Sequence, residues 1–243
     1  MKKIAQRAIA SFLMAMLVLS AMPVALAVDA SLEEKPFTAE ELADIQNTNE
    51  AIEEYINSLY NNTVLRQSPN RGVYLEVPEI KQDNGYYCGP ASALMVAKYL
   101  KIVDASFTQT NMAKALGTTK DGSSSTNIVS TLNNQLSAAG KAGRYQVANT
   151  SVTNFNRSIS YTLDKGYPMI MNVDKMPLYL ESTGGHFIVI RGYTSENYQK
   201  KGVEYVTIND CYNDTRYFGK FTYSYKQIED ACNSNVGNYI RLK

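Results

Sequence analysis

The chain has 243 residues and a nearly balanced charge, with 24 lysines and arginines against 23 aspartates and glutamates. This charge balance gives no electrostatic argument for binding to nucleic acid or to anionic membranes, so neither is expected as a partner. The length suffices for one domain with a substantial core and for a further segment beside it.

The N-terminal segment is typical of an export signal. Basic residues at positions 2, 3 and 7 precede a nearly uncharged apolar run from 8 to 26, which ends in the small-x-small pattern Ala25-Leu26-Ala27. A single membrane anchor is the alternative, but the charges that follow are acidic rather than basic. We therefore expect residues 1–27 to be a signal peptide, with cleavage after Ala27 or after Ala30, and the mature protein to be secreted and free of the membrane.

An acidic helical extension with a polar linker is predicted for residues 28–72. Thr38 and Glu41 form a capping-box pattern, and apolar residues then recur at helical spacing as far as Tyr60. The helix fits two roles, a pro-segment over an active-site cleft or a terminal helix packed on the domain. The second role is slightly favoured, because nothing local marks another cleavage site.

From position 73 onwards, helices are predicted first and strands afterwards. A short strand over 73–78 precedes helices at 88–100, 108–116, 125–138 and 152–165. Strands follow at 169–173, 186–193, 203–210, 217–223 and 237–242, with a short helix at 226–232. This order indicates an α+β domain over 73–243, in which helices pack on an antiparallel sheet.

The three cysteines are Cys88, Cys211 and Cys232. In an oxidising compartment an odd number leaves one thiol for an intermolecular bridge or for reactivity. A disulfide between Cys211 and Cys232 would close a short loop and leave Cys88 free, although three cysteines allow three different single bridges.

Cys88 lies at the first turn of a predicted helix and is followed by Gly89 and Pro90. Proline is tolerated there because first-turn amides have no intrahelical acceptor, and the positive helix end favours a thiolate. Gly89 would leave room for a substrate beside the sulfur. A buried core cysteine is the alternative, but it would not need this glycine and proline, so a nucleophile is favoured.

His186 is the only histidine, and imidazole is the ordinary base of a cysteine enzyme. It follows Gly184-Gly185, which allow close backbone approach, and it opens an apolar strand; a satisfied core histidine is the alternative. If the strand that ends at 210 pairs with it, Asp210 would orient the imidazole, with Asn209 as the fallback.

Gln82 lies six residues before Cys88. A glutamine amide, together with the N–H of the nucleophile, can stabilise the oxyanion that develops in acyl transfer. No metal and no cofactor are expected, since a closed zinc site would use the one histidine and all three cysteines, without zinc-finger spacing.

These residues resemble the bacteriocin-processing-peptidase-like (double-glycine peptidase-like) family of papain-fold cysteine peptidases. The resemblance covers roughly residues 75–243 and rests on Gln82 and on the blocks at 87–92, 117–124, 185–193 and 208–210. It implies a papain-like fold with Cys88 as nucleophile, His186 as base and then acid, Asp210 as orienter and Gln82 as oxyanion donor.

The chain departs from that family at two points. Proline usually follows the acid, where this chain has Cys211, and the members that act on bacteriocin leaders are domains of membrane exporters, whose helices and ATP-binding loop this sequence lacks. Papain is less similar, because Cys88 and His186 are only 98 positions apart, against roughly 130–150 in its subfamily.

The sequence thus predicts a secreted peptidase that cleaves a peptide or protein substrate through an acyl-enzyme. Two alternatives stay open. A peptidoglycan amidase or endopeptidase would use the same residues on cell-wall peptides, although no wall-binding repeat is present. A secreted binding module would keep the fold without the chemistry, which the intact set of four residues disfavours.

Overall fold

The computed structural model describes residues 36–61, 70–174, 176–179 and 184–243. The predicted export signal at 1–27 lies outside these residues. Among the helices that are described, none combines the length and the apolar character needed to cross a membrane.

Between positions 36 and 164, the described residues form five long helices: α1 (Ala39–Asn61), α2 (Cys88–Tyr99), α3 (Gln109–Leu116), α4 (Ser125–Ala138) and α5 (Phe155–Asp164). Each begins and ends within three residues of the predicted bounds. The N-cap residues of α3, α4 and α5 are Thr108, Ser124 and Asn154, and the side chain of each accepts a hydrogen bond from a first-turn N–H. By contrast, Tyr87 precedes α2 and gives it no side-chain cap.

The start of α1 confirms the predicted capping box. The Thr38 N–H donates to the Glu41 carboxylate at 2.8 Å, and the Glu41 N–H donates to the Thr38 hydroxyl at 3.2 Å. The buried face of α1 packs on α5, and the Arg241 guanidinium donates to the Ile45 carbonyl at 3.2 Å. Through these contacts α1 lies against the domain.

The described residues contain seven strands in one antiparallel sheet: β1 (Arg71–Tyr74), β2 (Tyr145–Asn149), β3 (Met169–Asp174), β4 (Gly185–Ser195), β5 (Tyr205–Asp210), β6 (Gly219–Ser224) and β7 (Asn238–Leu242). The order is β2-β7-β3-β4-β5-β6, and β1 pairs with the far half of β4. The helices α6 (Met176–Tyr179), α7 (Tyr198–Lys201) and α8 (Tyr225–Asn233) lie between strands.

Two strands differ from the prediction. β1 ends at Tyr74 rather than at position 78, because after one more hydrogen bond, from the Leu75 N–H to the Arg191 carbonyl at 2.8 Å, the chain leaves the sheet. β2 was not predicted, since it has only five residues and pairs with β7 at the other end of the domain.

The register between β4 and β5 decides which side chains meet. Val189 lies opposite Asn209, residues opposite each other share a face, and faces alternate along a strand. Asp210 therefore lies on the face that carries His186, whereas Asn209 lies on the other face.

Candidate active site

Cys88 is the first residue of α2, is 9 % exposed and is not in a disulfide. The first turns of α2 lie against the beginning of β4, because the Ser92 hydroxyl donates to the Phe187 carbonyl at 3.0 Å. The fold thus brings the helix start that carries Cys88 to the strand end that carries His186.

The His186 ring is hydrogen-bonded to Asp210. Nε2 lies 2.8 Å from Asp210 Oδ1, and the two residues are only 2 % and 1 % exposed. The same oxygen accepts the Tyr212 backbone N–H at 2.8 Å, and the Tyr212 ring meets the imidazole edge-on, with centroids 5.5 Å apart. A carboxylate can only accept, so Nε2 carries the hydrogen and Nδ1 is the acceptor nitrogen of the neutral ring.

Asn209, the fallback orienter, has a different set of partners. Its Oδ1 accepts from Arg191 Nη1 at 3.0 Å, and its Nδ2 donates to the carbonyls of Val77 and Pro78 at 3.0 and 3.2 Å. These bonds hold the segment before Gln82 against the sheet. Asp210 rather than Asn209 therefore contacts the imidazole, and the fallback assignment is wrong.

Gln82 is buried beside the start of α2. Its Nε2 donates to the Asn84 carbonyl at 2.7 Å, and its Oε1 faces the Cys211 thiol, with Sγ at 3.7 Å. The backbone N–H of Gln82 donates to the Cys211 carbonyl at 2.7 Å. The side chain is thus fixed by contacts at both ends of its amide.

The predicted role of Gly89 needs correction. A Cβ at this position would lie 2.7 Å from the Ser123 hydroxyl and 2.8 Å from Ser123 Cβ. Ser123 is itself buried and hydrogen-bonded to the Thr118 hydroxyl at 2.8 Å. The missing side chain therefore lets the loop before α4 pack on α2, rather than leaving room for a substrate.

The predicted disulfide between Cys211 and Cys232 is also wrong, because neither residue is in a disulfide. Cys211 lies beside Gln82, whereas the Cys232 thiol donates to the Asn238 carbonyl at 3.7 Å. Burial raises the pKa of the Cys211 thiol well above its usual range, with further contributions from Cys88 and Asp210, and burial raises the pKa of Cys232 to about 12. Both thiols are therefore protonated at neutral pH.

His186, Asp210 and Cys211 are the described residues whose grouping could hold a cation, with ligand atoms within 4.8 Å of one another. Around a tetrahedral zinc ion, nitrogen and oxygen ligands would be about 3.3 Å apart, whereas Nε2 and Oδ1 are 2.8 Å apart. The raised pKa of Cys211 also disfavours a thiolate ligand. The geometry fits a hydrogen-bonded pair beside a neutral thiol better than a metal site.

Sequence reasoning missed the contacts of Ser92, Cys211 and Tyr212. Ser92 could have been found, since it follows Cys88 by one helical turn on the same side of α2. The other two lacked a local signal, because their partners come from distant segments.

A helix that begins at a cysteine and packs on an antiparallel sheet carrying a histidine–aspartate pair defines a papain-like cysteine peptidase. The family model described as "Peptidase_C39 like family" matches residues 74–233. The chain belongs to this family and is a cysteine-type peptidase.

The chain is similar to several solved structures. A C39-like peptidase from Bacillus anthracis is 13 % identical, with a TM-score of 0.50, and the match covers 71 % of this chain and 98 % of that one. A double glycine motif protease from an AMS/PCAT transporter, in complex with the leader peptide, is 18 % identical with a TM-score of 0.47, covering 70 % and 94 %. The peptidase domain of Streptococcus ComA, a bi-functional ABC transporter, is 19 % identical with a TM-score of 0.44, covering 69 % and 98 %. Comparison with curated proteins finds no match.

Proposed function

We propose that the chain is an exported peptidase that hydrolyses peptide bonds through an acyl-enzyme, with Cys88 as nucleophile and His186 as base. The observation that carries the proposal is the 2.8 Å contact between His186 Nε2 and Asp210 Oδ1. It fixes the ring with Nδ1 as the proton acceptor, and the contact of Ser92 with Phe187 holds the two segments together.

The chemistry follows from these positions. The Cys88 thiolate attacks the carbonyl carbon of a peptide bond, and the carbonyl electrons move to oxygen. His186, which holds the proton from the thiol, gives it to the leaving nitrogen as the C–N bond breaks. The imidazole then takes a proton from water, whose oxygen attacks the thioester carbon. The C–S bond breaks, which releases the acid and restores the Cys88 thiolate beside the protonated imidazole. Asp210 stabilises the imidazolium without itself being protonated.

Gln82 and the start of α2 support the assignment of the oxyanion hole. A primary amide has two hydrogens, and one of those on Gln82 Nε2 is bonded to the Asn84 carbonyl. The other is assigned to the developing oxyanion, together with the backbone N–H of Cys88, which as a first-turn amide has no intrahelical acceptor.

Export is proposed from the pattern of residues 1–27, and a peptide or protein substrate is proposed from the family.

The test uses residues 28–243, incubated with a peptide library and with cell-wall fragments. Cys88→Ala should abolish cleavage without lowering the melting temperature, because it removes only a small side chain. Cys232→Ala, which removes a different buried thiol, is the matched control and should still cleave.

Labelling with iodoacetamide near pH 6 gives a second measurement that requires no substrate. Rapid and selective alkylation of Cys88 is expected from a thiolate stabilised by imidazolium. Alkylation no faster than in denatured protein would contradict the proposal and favour a binding module on this fold. Undiminished cleavage by Cys88→Ala would instead refute Cys88 as the nucleophile.

A further inference from the structure

The thiol of Cys211 lies where three segments of the site meet. Sγ is 3.7 Å from Gln82 Oε1, 3.7 Å from the Cys88 carbonyl oxygen and 3.5 Å from the Phe187 carbonyl oxygen. These segments carry the proposed oxyanion donor, the nucleophile and, next to Phe187, the base. Cys211 is fully buried, so this contact is part of the interior of the site.

Only a protonated thiol fits these surroundings. The three nearest oxygens are all hydrogen-bond acceptors, and an S–H group can donate its single hydrogen to one of them. The Ser92 hydroxyl also lies 3.9 Å from Sγ, but it donates its hydrogen to the Phe187 carbonyl at 3.0 Å, so it would stabilise a thiolate poorly. The raised pKa of Cys211 agrees with this geometry.

The side-chain amide of Gln82 can adopt two orientations of nearly equal shape, which differ by the exchange of Oε1 and Nε2, and one of them has to be selected. With Oε1 towards the Cys211 thiol, Nε2 donates to the Asn84 carbonyl at 2.7 Å. A flipped amide would set Oε1 against the Asn84 carbonyl, which is repulsive, and would turn an acceptor towards a developing oxyanion. The thiol and the Asn84 carbonyl thus select the same orientation from opposite ends.

We propose that Cys211 is a positioning residue for the oxyanion hole, which holds the Gln82 amide with its N–H groups directed towards the developing negative charge. The inference rests on the proposed function of the same site. Cys211 itself neither touches the substrate nor exchanges a proton with it. Its effect is therefore expected in kcat rather than in KM.

A double-mutant cycle tests the inference. Cys211→Ala should lower kcat by about 3- to 10-fold, the loss expected for one neutral hydrogen bond, with KM nearly unchanged. Cys211→Ser should retain most of the activity, because its hydroxyl can also donate. In a Gln82→Ala background, Cys211→Ala should cause no further loss, since the amide that it positions is gone.

Alkylation of Cys88 by iodoacetamide separates positioning from general damage to the site. This reaction displaces iodide and develops no oxyanion, so Cys211→Ala should leave its rate at the wild-type value. Equal losses in the alkylation rate and in kcat would indicate a merely structural role and overturn the inference. A kcat of Cys211→Ser as low as that of Cys211→Ala would overturn it as well.

The outcomes also distinguish this inference from the proposed function. Losses that multiply in the Cys211→Ala and Gln82→Ala double variant would refute only the positioning role. A Gln82→Ala variant with wild-type kcat would refute both the positioning role and the oxyanion assignment. Cleavage by Cys88→Ala would refute the nucleophile itself. If Cys211→Ala does not fold, the same cycle is measured with Cys211→Val, which also lacks the donor but fills more of the buried space, and the same outcomes apply.

Discussion

Replacing Asp210 by alanine should slow peptide cleavage more than replacing it by asparagine. Oδ1 accepts from His186 Nε2 and from the Tyr212 N–H, both at 2.8 Å, and alanine removes both bonds. A hydrogen bond to a charged group contributes about 1.5–3 kcal/mol, so kcat/KM should fall roughly 10- to 150-fold. Asparagine can keep an oxygen at this position, and since an uncharged bond is about half as strong, the loss should be roughly 3- to 12-fold.

The assay is kcat/KM on a cleaved peptide, with the melting temperature of each variant as a check on folding. Asn209→Ala is the matched control, because it removes the neighbouring buried side chain on the opposite face of β5. It should lower the free energy of unfolding, since Arg191 loses a hydrogen-bond partner, but it should keep kcat/KM near the wild-type value. Equal losses from Asp210→Ala and Asn209→Ala would refute the orienting role of Asp210.

Two further predictions concern packing and pH. Gly89→Ala should lower the free energy of unfolding, measured by thermal denaturation, by about 1–3 kcal/mol, because its Cβ would clash with buried Ser123. The control Gly85→Ala, whose Cβ would meet nothing within 4 Å, should resemble wild type. Adding Ser123→Gly to Gly89→Ala should restore part of the lost stability, and a double variant as unstable as Gly89→Ala would contradict the packing explanation. Ionisation of the Cys211 and Cys232 thiols should destabilise the fold in alkali, because folding raises the pKa of both thiols. Their contribution to the free energy of unfolding is complete below the unfolded-state pKa of about 8.5, and it is lost as pH rises towards the folded-state pKa. Urea unfolding at pH 7 and pH 10 should show about 2 kcal/mol less alkaline destabilisation in Cys232→Ala than in wild type, whereas equal destabilisation would contradict the protonated thiol.

The parts of the fold that the sequence predicted correctly have local causes. The predicted capping box of Thr38 and Glu41 depends on two residues three positions apart. The helices α3 to α5 were predicted without their caps, which the structure shows to be equally local. The start of α2 at Cys88 likewise follows from the adjacent glycine and proline. The contact of His186 with Asp210 followed from strand alternation, given that β4 and β5 pair.

The parts that the sequence could not predict depend on partners far along the chain. β2 becomes a strand through pairing with β7, and no feature of its five residues specifies that partner. The absence of a side chain at Gly89 is explained by Ser123, which reaches it from the loop before α4. The nearness of Cys232 in sequence suggests a disulfide to Cys211, whereas the Cys211 thiol is buried against Gln82.

The central claim is that the imidazole of His186 activates the thiol of Cys88, and the rate of Cys88 alkylation as a function of pH tests it most directly. Wild-type protein should react rapidly and selectively at pH 6. His186→Ala should react slowly there and approach the wild-type rate only as pH rises towards the range of an ordinary thiol, about 8.5. Identical pH profiles for the two proteins would contradict the account.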